Sequence, residues 1–223
     1  MAAGEACPFS DITWQHTSFR HAAFGPSLGA MNTNHAALCS SPEWAEFLCA
    51  EVLTPLAEGV DLGEELLEIG PGYGAATRWL HKRVKRLTAL ELDPAMARQL
   101  AAEFIDTNVT VELGDCTRVQ FPDASYDSVG MFTMLHHLST PAEQFAALAE
   151  AFRVLRPGGV LVGSDSLASP ELHLFHDGDM YNPIDPARLL VFLQTAGYDR
   201  ISLSIDQGVM FAAHKPPEVA GNA

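Results

Sequence analysis

The stretch LLEIGPGYGAATR, Leu66 to Arg78, decides how this chain folds. Leu66 to Ile69 is an apolar run with the length of a buried strand, and it breaks into Gly70, Gly72 and Gly74 before helix-forming residues begin. The order is strand, glycine turn, helix start. Glycine suits the turn because a side chain would hold a ligand away from the backbone, and because such a turn calls for positive φ. The first N–H groups of the following helix lack partners within it and face whatever lies over the turn, so an anion or carboxylate is welcome there. The stretch reads as a nucleotide-type pocket.

A G-x-G pattern alone also occurs in ordinary tight turns, so its surroundings carry the distinction. A dinucleotide fingerprint calls for a third glycine at position 75, which is Ala75 here, while the extra glycine stands at Gly74. Glu68, two residues before Gly70, would repel a pyrophosphate and suits a cationic ligand. The E-x-G-x-G-x-G arrangement of Glu68, Gly70, Gly72 and Gly74 resembles the first motif of class I S-adenosylmethionine-dependent methyltransferases of the small-molecule, type 11-like kind, whose cofactor carries an ammonium and a sulfonium. That resemblance implies an α/β fold: a Rossmann-like, doubly wound seven-stranded sheet, mostly parallel with an antiparallel last strand. It also implies S-adenosylmethionine as cofactor.

The chain downstream supplies matching parts. Leu87 to Leu92 reads as a second buried strand, and Glu91 at its tip lies 21 positions after Gly70. In a doubly wound sheet that tip sits beside the first glycine turn, where two carboxylate oxygens can accept both hydroxyls of a ribose. Asp93 caps the next helix ahead of Pro94. Asn108 to Leu113 is a β-branched, alternating third strand that runs into Gly114-Asp115-Cys116. In the resembled family a G-D-x element there holds adenine, so Asp115 would accept the exocyclic amine and Cys116 would pack on the ring. An Asx-turn at Asp115 is the plainer alternative. Tyr126 to Thr133 is a fourth strand that delivers Met134-Leu135-His136-His137-Leu138 to the carboxyl edge, where ligands of open parallel sheets bind. An amphipathic helix from Pro141 to Leu155 ends at Pro157-Gly158-Gly159, and the strand VLVGSDSL follows. A helix from Pro186 to Ala196 and the strands Ile201–Ile205 and Val209–His214 close the fold.

Before the glycine turn, residues 1–58 read as an N-terminal arm or lid followed by a helix. Trp14, Phe19 and their aromatic neighbours either cover the core or face a substrate. Ser41 and Pro42 start the helix, and Trp44, Phe47, Leu48, Val52 and Leu53 share one face of it. Residues 59–215 form the cofactor-binding domain, 168–185 a polar insertion over the substrate pocket, and 216–223 a tail.

Thirteen basic against 28 acidic residues give a formal charge of −15, which disfavours broad contact with nucleic acid or anionic lipid. With 48% hydrophobic residues the chain can bury a sizeable core. Cys7, Cys39, Cys49 and Cys116 share no close metal spacing and do not look like a disulfide framework, so reduced thiols are expected. There is no leader pattern and no bilayer-length apolar run, so a soluble cytoplasmic protein is expected. A homodimer is left open.

Methyl transfer from a sulfonium is an in-line displacement, and holding nucleophile and methyl in line is worth ~7 to 11 kcal/mol. Where the acceptor carries a proton, a base adds about 10² to 10⁴ in rate. His136 and His137 are the candidates, since imidazole titrates near neutrality and one of them can point inward; equally, one packs in the loop and the other is solvated. His173, His176 and Tyr181 of the insertion join Trp14 and Phe19 as candidate substrate-binding residues. The spacing H-x-x-H-D-x-D from His173 to Asp179 suits a metal but also suits turn and cap residues, and no metal is expected. The expected function is methyl transfer to an O, N or C atom of a small, planar or apolar metabolite. The alternative is a non-catalytic S-adenosylmethionine-binding regulatory or scaffold protein, and a nicotinamide-dependent oxidoreductase is disfavoured by Ala75 and Glu68.

Overall fold

The computed structural model describes residues 31–218, so Trp14 and Phe19 lie outside the described residues. Seven strands form one sheet: β1 (Glu65–Ile69), β2 (Arg86–Glu91), β3 (Val109–Leu113), β4 (Tyr126–Phe132), β5 (Leu155–Ser166), β6 (Asp199–Ile205) and β7 (Gly208–His214). Their spatial order is β3-β2-β1-β4-β5-β7-β6. The first five strands are mutually parallel, and β7 runs antiparallel to both β5 and β6. The fold class expected from sequence is the one observed.

The pleat sorts side chains into two cores, because successive residues of a strand face opposite sides. Leu67, Ile69, Val129, Met131, Leu161 and Phe211 face one side. There they meet α6 (Pro141–Val154) and α8 (Pro186–Ala196). Leu66, Leu87, Ala89, Phe132, Val160 and Val162 face the other side. That side is covered by α4 (Thr77–Leu80), α5 (Pro94–Glu103) and the N-terminal helices. Six of the eight described α-helices start at a side-chain cap. Asp93 accepts from the Ala95 and Met96 N–H groups at 2.7 and 2.9 Å, and Asp185 accepts from Arg188 N–H at 2.8 Å. Thr140 and Glu143 form a reciprocal capping box, and Gly197 ends α8 at φ +108°.

Three elements differ from the sequence expectation. The helix expected directly after Gly74 is confined to Thr77–Leu80, because positive φ at Gly72 and Gly74 keeps the chain in turns until Thr77. Strand β5 starts at Leu155, opposite Tyr126, and a register shift absorbs Pro157-Gly158-Gly159 as a bulge rather than a break. The N-terminal helix is a series: α2 (Pro42–Phe47), a π-helical run Leu48–Leu53 and α3 (Thr54–Ala57). Pro55 has no N–H to continue an α ladder there. Leu48, Val52 and Leu53 are buried as expected, whereas Phe47 faces outward.

An unanticipated helix, α1 (Thr33–Cys39), is capped by Asn32. The 168–185 insertion contains α7 (Pro170–Phe175), and a bridge between Leu167 and Ile184 closes its base. The strand order reverses between β1 and β4, and this opens a crevice at their carboxyl ends.

Candidate functional site

On the β1–β2 side of the crevice stands the glycine turn. Gly70, Gly72 and Gly74 all have positive φ, at +69°, +53° and +77°. A Cβ on Gly70 would stand 2.8 Å from Met134 Cβ, and one on Gly74 would stand 2.5 Å from Leu100 Cδ1. A Cβ on Gly72 would meet nothing within 4 Å, so the turn is open at that point. Glu91, at the end of β2, is buried beside it. Its Oε2 accepts the Gly72 N–H at 3.0 Å and its Oε1 accepts the Asp93 N–H at 2.9 Å. A carboxylate offers about four lone pairs, so two remain for further donors.

Glu68 is 2% exposed on the α4 face of β1, next to Thr77, and its Oε2 has no partner. Burial pushes its carboxyl up to about 7, an effect opposed by Thr77 and reinforced by Glu91. Glu68 therefore sits inside the sheet-helix layer rather than as an open anion. Asp115 is exposed, and its Oδ1 accepts from the Thr117 N–H and hydroxyl, both at 2.8 Å, which is the Asx-turn alternative realised. Cys116 packs half-buried against the core, and burial pushes its thiol up to about 12.

On the β4–β5 side a short 3-10 turn, Leu135–His137, carries the paired histidines. His136 is buried and its Nδ1 lies 2.6 Å from Asp165 Oδ1. Asp165, near the end of β5, is itself held by the N–H groups of Leu135 and Ser166 at 2.8 and 2.7 Å. His137 donates Nδ1–H to the Met180 carbonyl at 3.3 Å. Burial and the neighbouring imidazoles push its pKa down to about 2.

The insertion folds over this rim. Asn182 donates its N–H to the His136 carbonyl at 2.7 Å and its side-chain amide to the Leu138 carbonyl at 3.0 Å. Gln144 bridges the Leu135 and Asn182 carbonyls at 3.1 and 2.8 Å. The H-x-x-H-D-x-D residues part company. His173 and Asp177 are exposed, and His173 Nδ1 is spent on the Ser169 carbonyl at 2.8 Å. His176 is buried and stacks on Tyr181, with ring centroids 4.1 Å apart and planes 14° apart. Tyr181 donates to the Leu167 carbonyl at 3.2 Å.

His35, on α1, was missed in the sequence. A single histidine in NTNHAALC shows no periodic or motif signal. In the fold it is buried against His176, with centroids 4.5 Å apart, and its Nδ1 lies 2.9 Å from Asp179 Oδ2. Burial lowers its pKa, and Asp179 opposes that shift. Asn32 ties the same segment to the insertion through Asp179 Oδ1 and the Phe175 carbonyl. The packing of Gly70 against Met134 joins the two halves of the site across the crevice.

A family profile described as a methyltransferase domain matches residues 67–163. The chain is 37% identical over 131 residues to a malonyl-acyl-carrier-protein O-methyltransferase of Serratia marcescens, a match covering 56% of this chain and 46% of that protein. It is 36% identical over 107 residues to a demethylmenaquinone methyltransferase of Tropheryma whipplei, covering 47% of this chain and 42% of that one. The chain spans about half the length of these relatives. Its fold is similar to the crystal structure of an S-adenosylmethionine-dependent methyltransferase from Methanosarcina mazei, with a TM-score of 0.63 at 19% identity over 75% of this chain and 100% of that one. Strand order, glycine turn and domain match agree: residues 67–163 match a methyltransferase domain, and the fold around them is similar to that of a solved S-adenosylmethionine-dependent methyltransferase.

Proposed function

We propose that the protein transfers the methyl group of S-adenosylmethionine to an O, N or C atom of a small, planar or apolar metabolite. The observation that carries this reading is the meeting of two unlike halves at the reversal of strand order. The open turn at Gly72 with the Glu91 carboxylate lies on one side, and the buried histidine and aspartate groups behind Met134 lie on the other. The first half fits the cofactor. Glu91 is placed to accept ribose hydroxyls with its remaining lone pairs, and the absent side chain at Gly72 leaves room for close approach. Glu68 lies buried on the α4 face beside Thr77, with Oε2 unpartnered.

The second half forms the acceptor side. His176, Tyr181 and the α1 segment build an aromatic wall there, which favours a planar or apolar acceptor. When bound, the cofactor supplies an activated methyl group. The protein's own residues then contribute position, and for a protonated acceptor a route for the proton through this rim. Malonyl-acyl-carrier protein and demethylmenaquinone are named as substrates of two relatives, and both belong in the acceptor screen. The test is transfer of labelled methyl from S-adenosylmethionine to a panel of hydroxylated, carboxylated and quinone-like acceptors. Glu91→Ala is the paired control. Labelled product from wild type that disappears in the variant supports the reading. Cofactor binding without transfer to any acceptor points instead to the non-catalytic alternative.

A further inference from the structure

We propose that His35, His136 and His176 form a binding site for a divalent transition-metal ion, zinc by ligand chemistry, held through their three Nε2 atoms. Each of the three offers a ring nitrogen, and these nitrogens lie within 4.8 Å of one another. All three rings are buried. They come from separate parts of the fold: α1, the 3-10 turn after β4, and the residue that ends α7.

The hydrogen bonds identify the ligand atoms. The Leu172 carbonyl, 2.7 Å from His176 Nδ1, can only accept, so that nitrogen carries the proton and Nε2 presents a lone pair. Asp165 and Asp179 engage Nδ1 of His136 and His35 at 2.6 and 2.9 Å and select the same tautomer. This is how histidines that bind metals are oriented, with Nδ1–H given to a carboxylate or carbonyl and Nε2 turned to the ion. His136 Nε2 and His176 Nε2 are buried without any hydrogen-bond partner. Such orphaned acceptors are costly in a protein interior, and converging lone pairs repel one another unless a cation lies between them.

Neutral imidazole suits zinc, copper, iron and nickel, and three histidines with an open fourth position are a known zinc arrangement. Among the described residues no fourth ligand atom joins the cluster. His137 stacks on His35 and lies tilted against His136 but is turned to the Met180 carbonyl. The fourth position is therefore left to water or to an oxygen, nitrogen or sulfur atom of a small ligand. With an ion in place His136 is a ligand, and its lone pair is not available as the base considered from sequence alone. The site does not depend on the methyl-transfer reading.

The experiment is elemental analysis of the full chain purified without chelator or metal-affinity resin, then dialysed against metal-free buffer. About one zinc per chain is expected in wild type. His35→Ala, His136→Ala and His176→Ala should each weaken zinc at least about 100-fold. Asp165→Asn and Asp179→Asn should weaken it by about 10- to 100-fold, as outer-shell losses do. His173→Ala, which changes only the exposed histidine of the sequence motif, should retain full zinc. Folding of each variant is checked by circular dichroism and by S-adenosylhomocysteine binding. Wild type stripped of metal and titrated with Co²⁺ should develop the visible bands of low-coordinate cobalt, and this arm needs no variant to fold. Wild type that carries no metal and gives no cobalt bands overturns the proposal, as does full zinc in His176→Ala.

Discussion

Gly72→Ala separates the two demands made on the glycine turn, its backbone shape and its openness to a ligand. Gly70, Gly72 and Gly74 all hold positive φ, but only at Gly72 does an added Cβ find nothing within 4 Å. The folded state therefore bears only the left-handed conformation, about 1 to 2 kcal/mol for an L residue. The reduced entropy of the unfolded chain offsets ~0.4 to 1 kcal/mol of this. A net loss of about 1 kcal/mol follows, a fall in Tm of roughly 2 to 4 °C for a chain of this size. Gly70→Ala has the same backbone cost and also sets two Cβ atoms 2.8 Å apart, an overlap that Met134 cannot relieve by rotating. That adds about 1 to 3 kcal/mol of overpacking.

The order reverses for ligand binding. A methyl group at Gly72 fills the open space over the turn, and keeping a ligand from close approach there would cost at least one charge-assisted hydrogen bond, worth about 1.5 to 3 kcal/mol. S-adenosylhomocysteine should then bind about 10- to 100-fold more weakly. Urea unfolding and calorimetric titration of the same samples measure the two effects. An affinity within about threefold of wild type, alongside the expected stability loss, would refute the placement of the cofactor over this turn.

Glu91→Ala removes the acceptor for the Gly72 and Asp93 N–H groups and, on the proposed reading, for a ribose. S-adenosylhomocysteine affinity should fall at least about 100-fold. An unchanged titration would remove Glu91 from the cofactor site. Glu68 contributes a pH dependence of defined sign. Its folded pKa is raised from 4.5 to about 7, so the native state holds more protons than the unfolded chain between those values. The associated stability is present below pH 4.5 and is lost as pH rises through 7, about 3 kcal/mol in all. Glu68→Gln should flatten this part of the stability–pH curve in urea titrations from pH 4.5 to 8, and an unaltered slope would count against it. Lys215 donates to the Phe152 and Leu155 carbonyls at 2.9 and 2.8 Å and stands over the Phe152 ring. Lys215→Met should cost about 2 kcal/mol in the same assay, with cofactor affinity unchanged.

The fold was legible where its determinants are contiguous. Asp93-Pro94, Thr140-Pro141 with Glu143, and Asp185-Pro186 through Gly197 each place a cap and a first turn within a few residues. Alternation along the strands sorts Leu66 and Leu67 to opposite cores. The glycine turn and Glu91 were legible for the same reason, since one βαβ unit brings them together. Burial and reach set two further local arrangements: Asp115 makes an Asx-turn, and His136 pairs with Asp165. The spacing from His173 to Asp179 could not sort its members: α7 turns His173 to solvent, while His176 is buried and Asp179 pairs with His35.

The sequence by itself determined the strand–turn–helix unit, the layer to which each side chain belongs and the acid beside the glycine turn, all through interactions between near neighbours. Only the tertiary structure decided the histidine cluster. His35 and Asp179 are 144 positions apart, and His136, in the turn after β4, is 29 positions from Asp165 on the neighbouring β5. No local period encodes such distances. They close only when the sheet's crossover order places the ends of β4 and β5 side by side and the insertion folds back over them onto α1.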